Sequence, residues 1–143
     1  MGSPKSQNIH DKRKLEERLR QCPEEICQIF HDLRTRAIEE CKTEDWGYSD
    51  KPDLRIGFVY NMIEFVPKPS HVVVMLRVDN QSPDELANRL ATISITEARD
   101  ARKPGYRQPD SRWVEFQVSE ANQISESLQL IKHVYNRRQE SGW

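Results

Sequence analysis

Cys22, Cys27, His31 and Cys41 fall within 20 residues of one another, and thiolates with an imidazole are the ligand types of a zinc site. Cys27 and His31 are four apart and share a helix face. Cys41 lies 14 residues beyond Cys27, about 21 Å along a helix axis at about 1.5 Å per residue, too far to join them. Cys22 precedes that helix and completes at best a three-ligand set. The chain has no CxxC pair and no HxxxH, the spacings that make zinc sites recognisable. The cysteines therefore read as buried or half-buried structural residues, and neither a metal nor a cofactor is expected.

Other catalytic arrangements fail on spacing. Pro52-Asp53 followed by Glu64 has the order of acidic residues that hold a metal in a nuclease core. That core needs an acid, one residue and then Lys on a strand, and Glu64 stands four before Lys68 across Pro67. Asp53 reads more simply as a turn residue, and Glu64 as an exposed strand residue or the partner of a nearby base. There is no GxSxG elbow, and His10, His31, His71 and His133 lie apart with no local Ser or Cys signature. Five glycines, none clustered, make no phosphate-cradling loop. The expectation is a non-enzymatic chain.

One segment does combine charge with flat rings. Arg99, Arg102, Lys103, Arg107 and Arg112 alternate with Tyr106 and Trp113, which places phosphate-neutralising cations beside surfaces on which a base can stack. These five cations and Tyr106 are the candidate contacts to DNA, RNA or an acidic partner. The competing reading pairs Arg99 and Arg102 with Asp100 and Glu97, puts Trp113 in the core at a strand start and leaves the loop solvated. A net charge of −1 over 143 residues weighs against strong non-specific nucleic-acid binding.

The charge is patchy. Lys12, Arg13, Lys14, Arg18 and Arg20 make the N-terminal stretch basic, Glu39, Glu40, Glu44, Asp45 and Asp50 follow as an acidic one, and Lys132, His133, Arg137 and Arg138 close the chain. Three cysteines, an odd number, argue for reduced thiols and a cytoplasmic location. No stretch approaches the roughly 20 apolar residues that cross a bilayer, so no membrane partner is expected.

The length suits one core, with residues 1–9 as a disordered or tag-derived tail and 10–143 as a single domain. Leu15 and Leu19 give the helix over about 10–21 a thin stripe, which suits a linker or an arm for another protein or a second copy of the chain. Pro23 at a first turn, with Glu24 and Glu25 behind it, starts a stronger helix with Ile26, Ile29, Phe30, Leu33, Ala37 and Ile38 to about Cys41. Turn formers from Trp46 to Asp53 end it. Arg55 to Val66 reads as a strand with Tyr60 and Met62 on one face, Pro67 to Ser70 as a turn, and His71 to Asp79 as a central strand that is apolar on both faces. Ser82-Pro83-Asp84-Glu85 begins a short helix with Leu86, Leu90 and Ile93. Trp113 to Val118 alternates as a third strand, and Ser119 caps a last helix carrying Ile124, Leu128, Ile131 and Tyr135. The fold class is α+β: a small antiparallel sheet of three strands, with a fourth at Thr92 to Thr96, packed against helices on one face. The opposite face is left wet or free for a partner.

The succession RIGFVYNMIEFVPKPSHVVVMLRVD, SPDELANRL and WVEFQVSEANQISESLQLIKHVYNRR resembles a bacterial domain family of unknown function. That family occurs alone or C-terminal to nuclease modules of restriction and defence proteins. The resemblance spans about residues 23–138 and lies in element order and apolar pattern, including Leu128 to Tyr135. It implies an α+β accessory module near nucleic-acid biology and supplies no catalytic residue.

Overall fold

The computed structural model describes residues 12–43, 45–47, 58–59, 63–78, 83–97 and 113–141. Its elements run α1 (Lys12–Arg20), α2 (Glu24–Cys41), β1 (Asp45–Gly47), β2 (Phe58–Val59), β3 (Ile63–Pro67), β4 (Val72–Arg77), α3 (Pro83–Ala87), β5 (Thr96–Glu97) and β6 (Trp113–Val118). A 3-10 turn at Ala121–Gln123 then leads into α4 (Ile124–Ser141). The strands form one antiparallel sheet in the order β1-β2-β3-β4-β6-β5. This is the expected α+β class, with β3, β4 and β6 as the long strands and three short ones at the margins.

The apolar runs explain the layering. Val72, Val74 and Leu76 of β4 face the same core as Ile63 and Phe65 of β3 and Val114, Phe116 and Val118 of β6. Ile26, Ile29, Phe30, Leu33 and Ala37 of α2 and Leu128, Ile131 and Val134 of α4 fill that core from above. Helical spacing of these residues on α2 and α4 aligns each stripe with the sheet. At the surface Lys132 Nζ lies 3.7 Å from Glu40 Oε1 across the two helices, an exposed pair of small energetic weight. Pro23, extended at ψ 155°, starts α2, and Lys42 at φ 53° ends it, with the Thr43 amide donating to the Ile38 carbonyl.

Several expectations change. The single strand over Arg55 to Val66 is two: Val59 pairs with Ile63 and Phe58 with Glu64, antiparallel, so the chain reverses between them. Alternation of apolar types looks the same in one long strand and in two short paired ones. The Trp46 region, read as turn, contributes β1 at the sheet margin. The helix after Pro83 stops at Ala87, and Leu90 and Ile93 reach the core from the following irregular stretch. Leu15 is 2% exposed within the main core, so α1 is packed rather than a free arm.

The second sheet face is not bare. Val66, Met75 and Trp113 are 5%, 4% and 5% exposed there, and Glu64 on the same face is buried rather than an exposed strand residue. Burial on both faces is why VVVMLR reads as a continuous apolar run instead of alternating. Tyr60 and Met62, placed on that face from the sequence, lie outside the described residues, as do residues 1–9.

Candidate functional site

Among the described residues, the edge formed by β5 and β6 leaves a row of polar side chains open at the surface. β6 is paired along its whole length with β4, from Arg77↔Trp113 to Val72↔Val118. On its other side, among the described residues, Thr96↔Glu115 and Glu97↔Val114 pair with β5. Had the ladder continued, Ser94 would stand opposite Gln117. Instead Ile93 turns into the core and Ile95 packs partly against it. A groove of about 370 Å³ opens where the stretch 92–95 parts from β6, with Thr92, Ser94 and Thr96 on one wall and Glu115, Gln117 and Gln123 on the other.

Two devices frame the groove, one long-range and one local. Glu126, in the first turn of α4, accepts from the amide of Ala91, from the amide of Thr92 at 3.2 Å and from the Thr92 hydroxyl at 2.6 Å. Partial burial pushes the Glu126 carboxyl up, but the Thr92 hydroxyl and the two amides together outweigh it and hold its pKa below the ordinary value. The second device is Gln123, whose Oε1 accepts from the amides of Ser119 at 2.9 Å and Glu120 at 3.1 Å. The side chain of Gln123 therefore satisfies the amides that open the helix, a reach-back cap of the capping-box kind, while the Ser119 hydroxyl, expected as the cap, makes only a long contact to Gln123 at 3.4 Å. Below it Ser127, fully buried, donates to the Gln123 carbonyl at 2.8 Å.

Inside this frame the side chains of Ser94, Thr96, Glu115 and Gln117 make no hydrogen bond among the described residues, and the side chain of Gln123 bonds through its oxygen. The groove thus pairs a fixed rim with uncommitted hydroxyl, amide and carboxylate groups.

All six predicted contacts, Arg99, Arg102, Lys103, Tyr106, Arg107 and Arg112, lie outside the described residues. What the structure does fix is where their segment begins and ends. Glu97 pairs with Val114, so residues 98–112 leave from β5 and return into β6 at one end of the sheet edge. Arg99 and Arg112 each stand three residues from a groove-lining position, Thr96 and Glu115. Trp113 is core at the strand start, as the competing sequence reading had it, and is not a stacking platform.

Elsewhere the candidate chemistry separates. Cys22 Sγ donates to the Arg18 carbonyl at 3.3 Å and Cys27 Sγ to the Leu19 carbonyl at 3.2 Å, as protonated thiols do. Burial, with Cys27 close by, raises the Cys22 pKa against the pull of Arg18. Burial pushes the Cys41 thiol up to about 11. Among the described residues no three His, Cys, Asp or Glu side chains are grouped to hold a metal ion. No helix among them is long and apolar enough to cross a membrane. A second groove, of about 550 Å³, lies between the start of α2 and the chain entering α4, and Glu24, Glu25, Asp32 and Glu120 make it acidic. Sequence reasoning missed both grooves: Thr92, Ser94 and Glu126 show no local motif, and only the 34-residue contact from Thr92 to Glu126 gives them a role.

No protein-family model, no curated protein and no solved structure matches this chain.

Proposed function

We propose that this chain is a non-enzymatic accessory module of an intracellular bacterial-type protein that contacts the backbone of DNA or RNA through residues 98–112, in the setting of nucleic-acid defence or processing that the sequence resemblance implies. The carrying observation is the pairing of Glu97 with Val114, which gives a basic segment two anchored ends on one sheet edge. The segment holds five cations against Asp100 and Asp110, a net charge of +3, in a chain whose total is −1. Charge concentrated in this way on a tethered connection attracts phosphates locally while the rest of the surface does not, which favours a backbone contact of modest, salt-sensitive strength.

A protein partner is the second reading, and the acidic groove at Glu24, Glu25, Asp32 and Glu120 favours it because a basic peptide would complement those four carboxylates.

Fluorescence anisotropy of labelled single- and double-stranded DNA and RNA, at low salt and at about 200 mM, tests the first reading, with Arg102→Ala/Arg107→Ala as the control. Binding that weakens with salt and is lost in the double variant is the expected result. No binding at tens of micromolar protein, about the weak end of non-specific association, overturns it and favours a protein partner.

A further inference from the structure

We propose that Cys22 and Cys27 are a redox modification site, two thiols at the joint between α1 and α2 that hydrogen peroxide converts to a reversible disulfide. The inference is independent of the nucleic-acid reading above and uses described residues throughout.

The start of α2 places the pair. Pro23 is the residue before the first helical one, so Cys22 stands just ahead of the cap and Cys27 at the fourth helical position. Side chains at these two positions pack against each other where a chain enters a helix, a contact usually made by two apolar residues. The Cys27 amide donates to the Pro23 carbonyl at 3.1 Å and closes the turn between them. Both thiols then reach the same last turn of α1. Cys22 Sγ donates to the Arg18 carbonyl at 3.3 Å, and Cys27 Sγ donates to the next carbonyl, that of Leu19, at 3.2 Å. Cys27 Sγ also lies 3.8 Å from the carbonyl oxygen of Cys22 itself. Burial raises the Cys22 pKa, and Cys27 is near enough to raise it further.

Geometry also settles which thiols can join. Cys41 ends α2, 14 residues beyond Cys27 and about 21 Å along the axis. A disulfide spans about 4.4–6.8 Å between α-carbons, so Cys41 is out of reach and Cys22 is the partner left to Cys27.

Cys27 is half-buried and Cys22 buried, so peroxide meets Cys27 first. The Cys27 sulfur attacks one peroxide oxygen and the O–O bond breaks, leaving a sulfenic acid on Cys27 while the departing hydroxide takes the thiol proton as water. The Cys22 sulfur then attacks the sulfenic sulfur. The S–O bond breaks, and the hydroxyl leaves with the Cys22 proton as a second water. Two electrons have passed from the sulfurs to the peroxide. The bond closes a short loop that restrains the unfolded chain little, so a small thiol can reduce it again. In the oxidised chain neither sulfur carries a proton, and the Arg18 and Leu19 carbonyls keep the amides of Gln21 and Cys22 but lose their thiol donors. The modification therefore takes two contacts from the last turn of α1.

The experiment treats the folded full chain with hydrogen peroxide, alkylates the remaining thiols in denaturant and digests with trypsin. Cleavage after Arg20 and Arg34 gives one peptide that carries both cysteines. The expected result is that this peptide loses both alkylation sites and weighs two hydrogens less than its dithiol form, that dithiothreitol restores both sites, and that Cys41 is alkylated throughout. In Cys22→Ser the hydroxyl can still donate to the Arg18 carbonyl, so the fold is kept, checked by an unchanged thermal transition. Cys27 in that variant stops at the sulfenic acid and takes up dimedone, a label that the unmodified chain does not accumulate. A peptide that stays doubly alkylated, one that gains oxygen without losing the two hydrogens, or a disulfide formed to Cys41 or to another chain overturns the proposal.

Discussion

The Thr92 hydroxyl donates to the Glu126 carboxylate at 2.6 Å, joining an irregular stretch before β5 to the first turn of α4 across 34 residues of sequence. The amides of Ala91 and Thr92 donate to the same carboxylate. One side chain thus satisfies the backbone of a segment that has left the sheet, which removes the usual penalty for an unpaired strand margin.

Replacing Glu126 with Gln should cost about 1–2 kcal/mol, the range for losing charge-assisted hydrogen bonds at a half-buried site. The effect carries a pH signature. The folded-state pKa of Glu126 lies below its ordinary value of 4.5, so the contribution is complete above the unfolded-state value and is lost as pH falls through the folded one. Urea unfolding of the two proteins at neutral pH and at about pH 3 should show a gap that narrows in acid. A gap of constant size would mean that the carboxylate charge is not what holds Thr92.

Leu15→Ala should destabilise the whole domain by about 2–3 kcal/mol, because Leu15 is 2% exposed inside the main core. Chemical denaturation followed by both fluorescence and circular dichroism checks it. A shift below half a kilocalorie, or a separate early transition for α1, would restore the helix to the role of an independent arm.

Lys42→Gly should stabilise the chain. Lys42 ends α2 at φ 53°, where a β-carbon costs roughly 1–2 kcal/mol. Glycine removes that strain and returns roughly half of the gain through its greater freedom when unfolded, a net of about 0.5–1 kcal/mol. The midpoint of thermal unfolding should rise by a few degrees. A fall would mean that the lysine side chain makes a compensating contact.

Cys41 should resist alkylation in the folded protein. Burial raises its pKa to about 11, so at about pH 8 almost none is thiolate. Iodoacetamide followed by peptide mass spectrometry should leave Cys41 unmodified until denaturant is added. Modification at the rate of an exposed thiol would show that α2 opens at its C-terminal end without global unfolding.

Much of this fold is determined by sequence alone, because its signals are local and periodic. Pro23 with Glu24 and Glu25, the Ile26-to-Ala37 stripe, the VVVMLR run and the Trp113-to-Val118 alternation each state an element in neighbouring residues, and α2, β4 and β6 follow them. The candidate basic segment is equally visible as composition, from Arg99 to Arg112. Tertiary structure decided the rest. Whether Arg55 to Val66 is one strand or two depends on Val59 finding Ile63, and alternation is the same in both cases. The thin stripe of Leu15 and Leu19 says little about burial, and only the packed chain puts Leu15 inside the main core. The groove exists because Glu126 draws Thr92 away from β6 while Ile93 sinks into the core, a competition between partners far apart in the chain. Sequence periodicity reports which face of an element seeks burial; which distant element meets it is settled only when the chain packs.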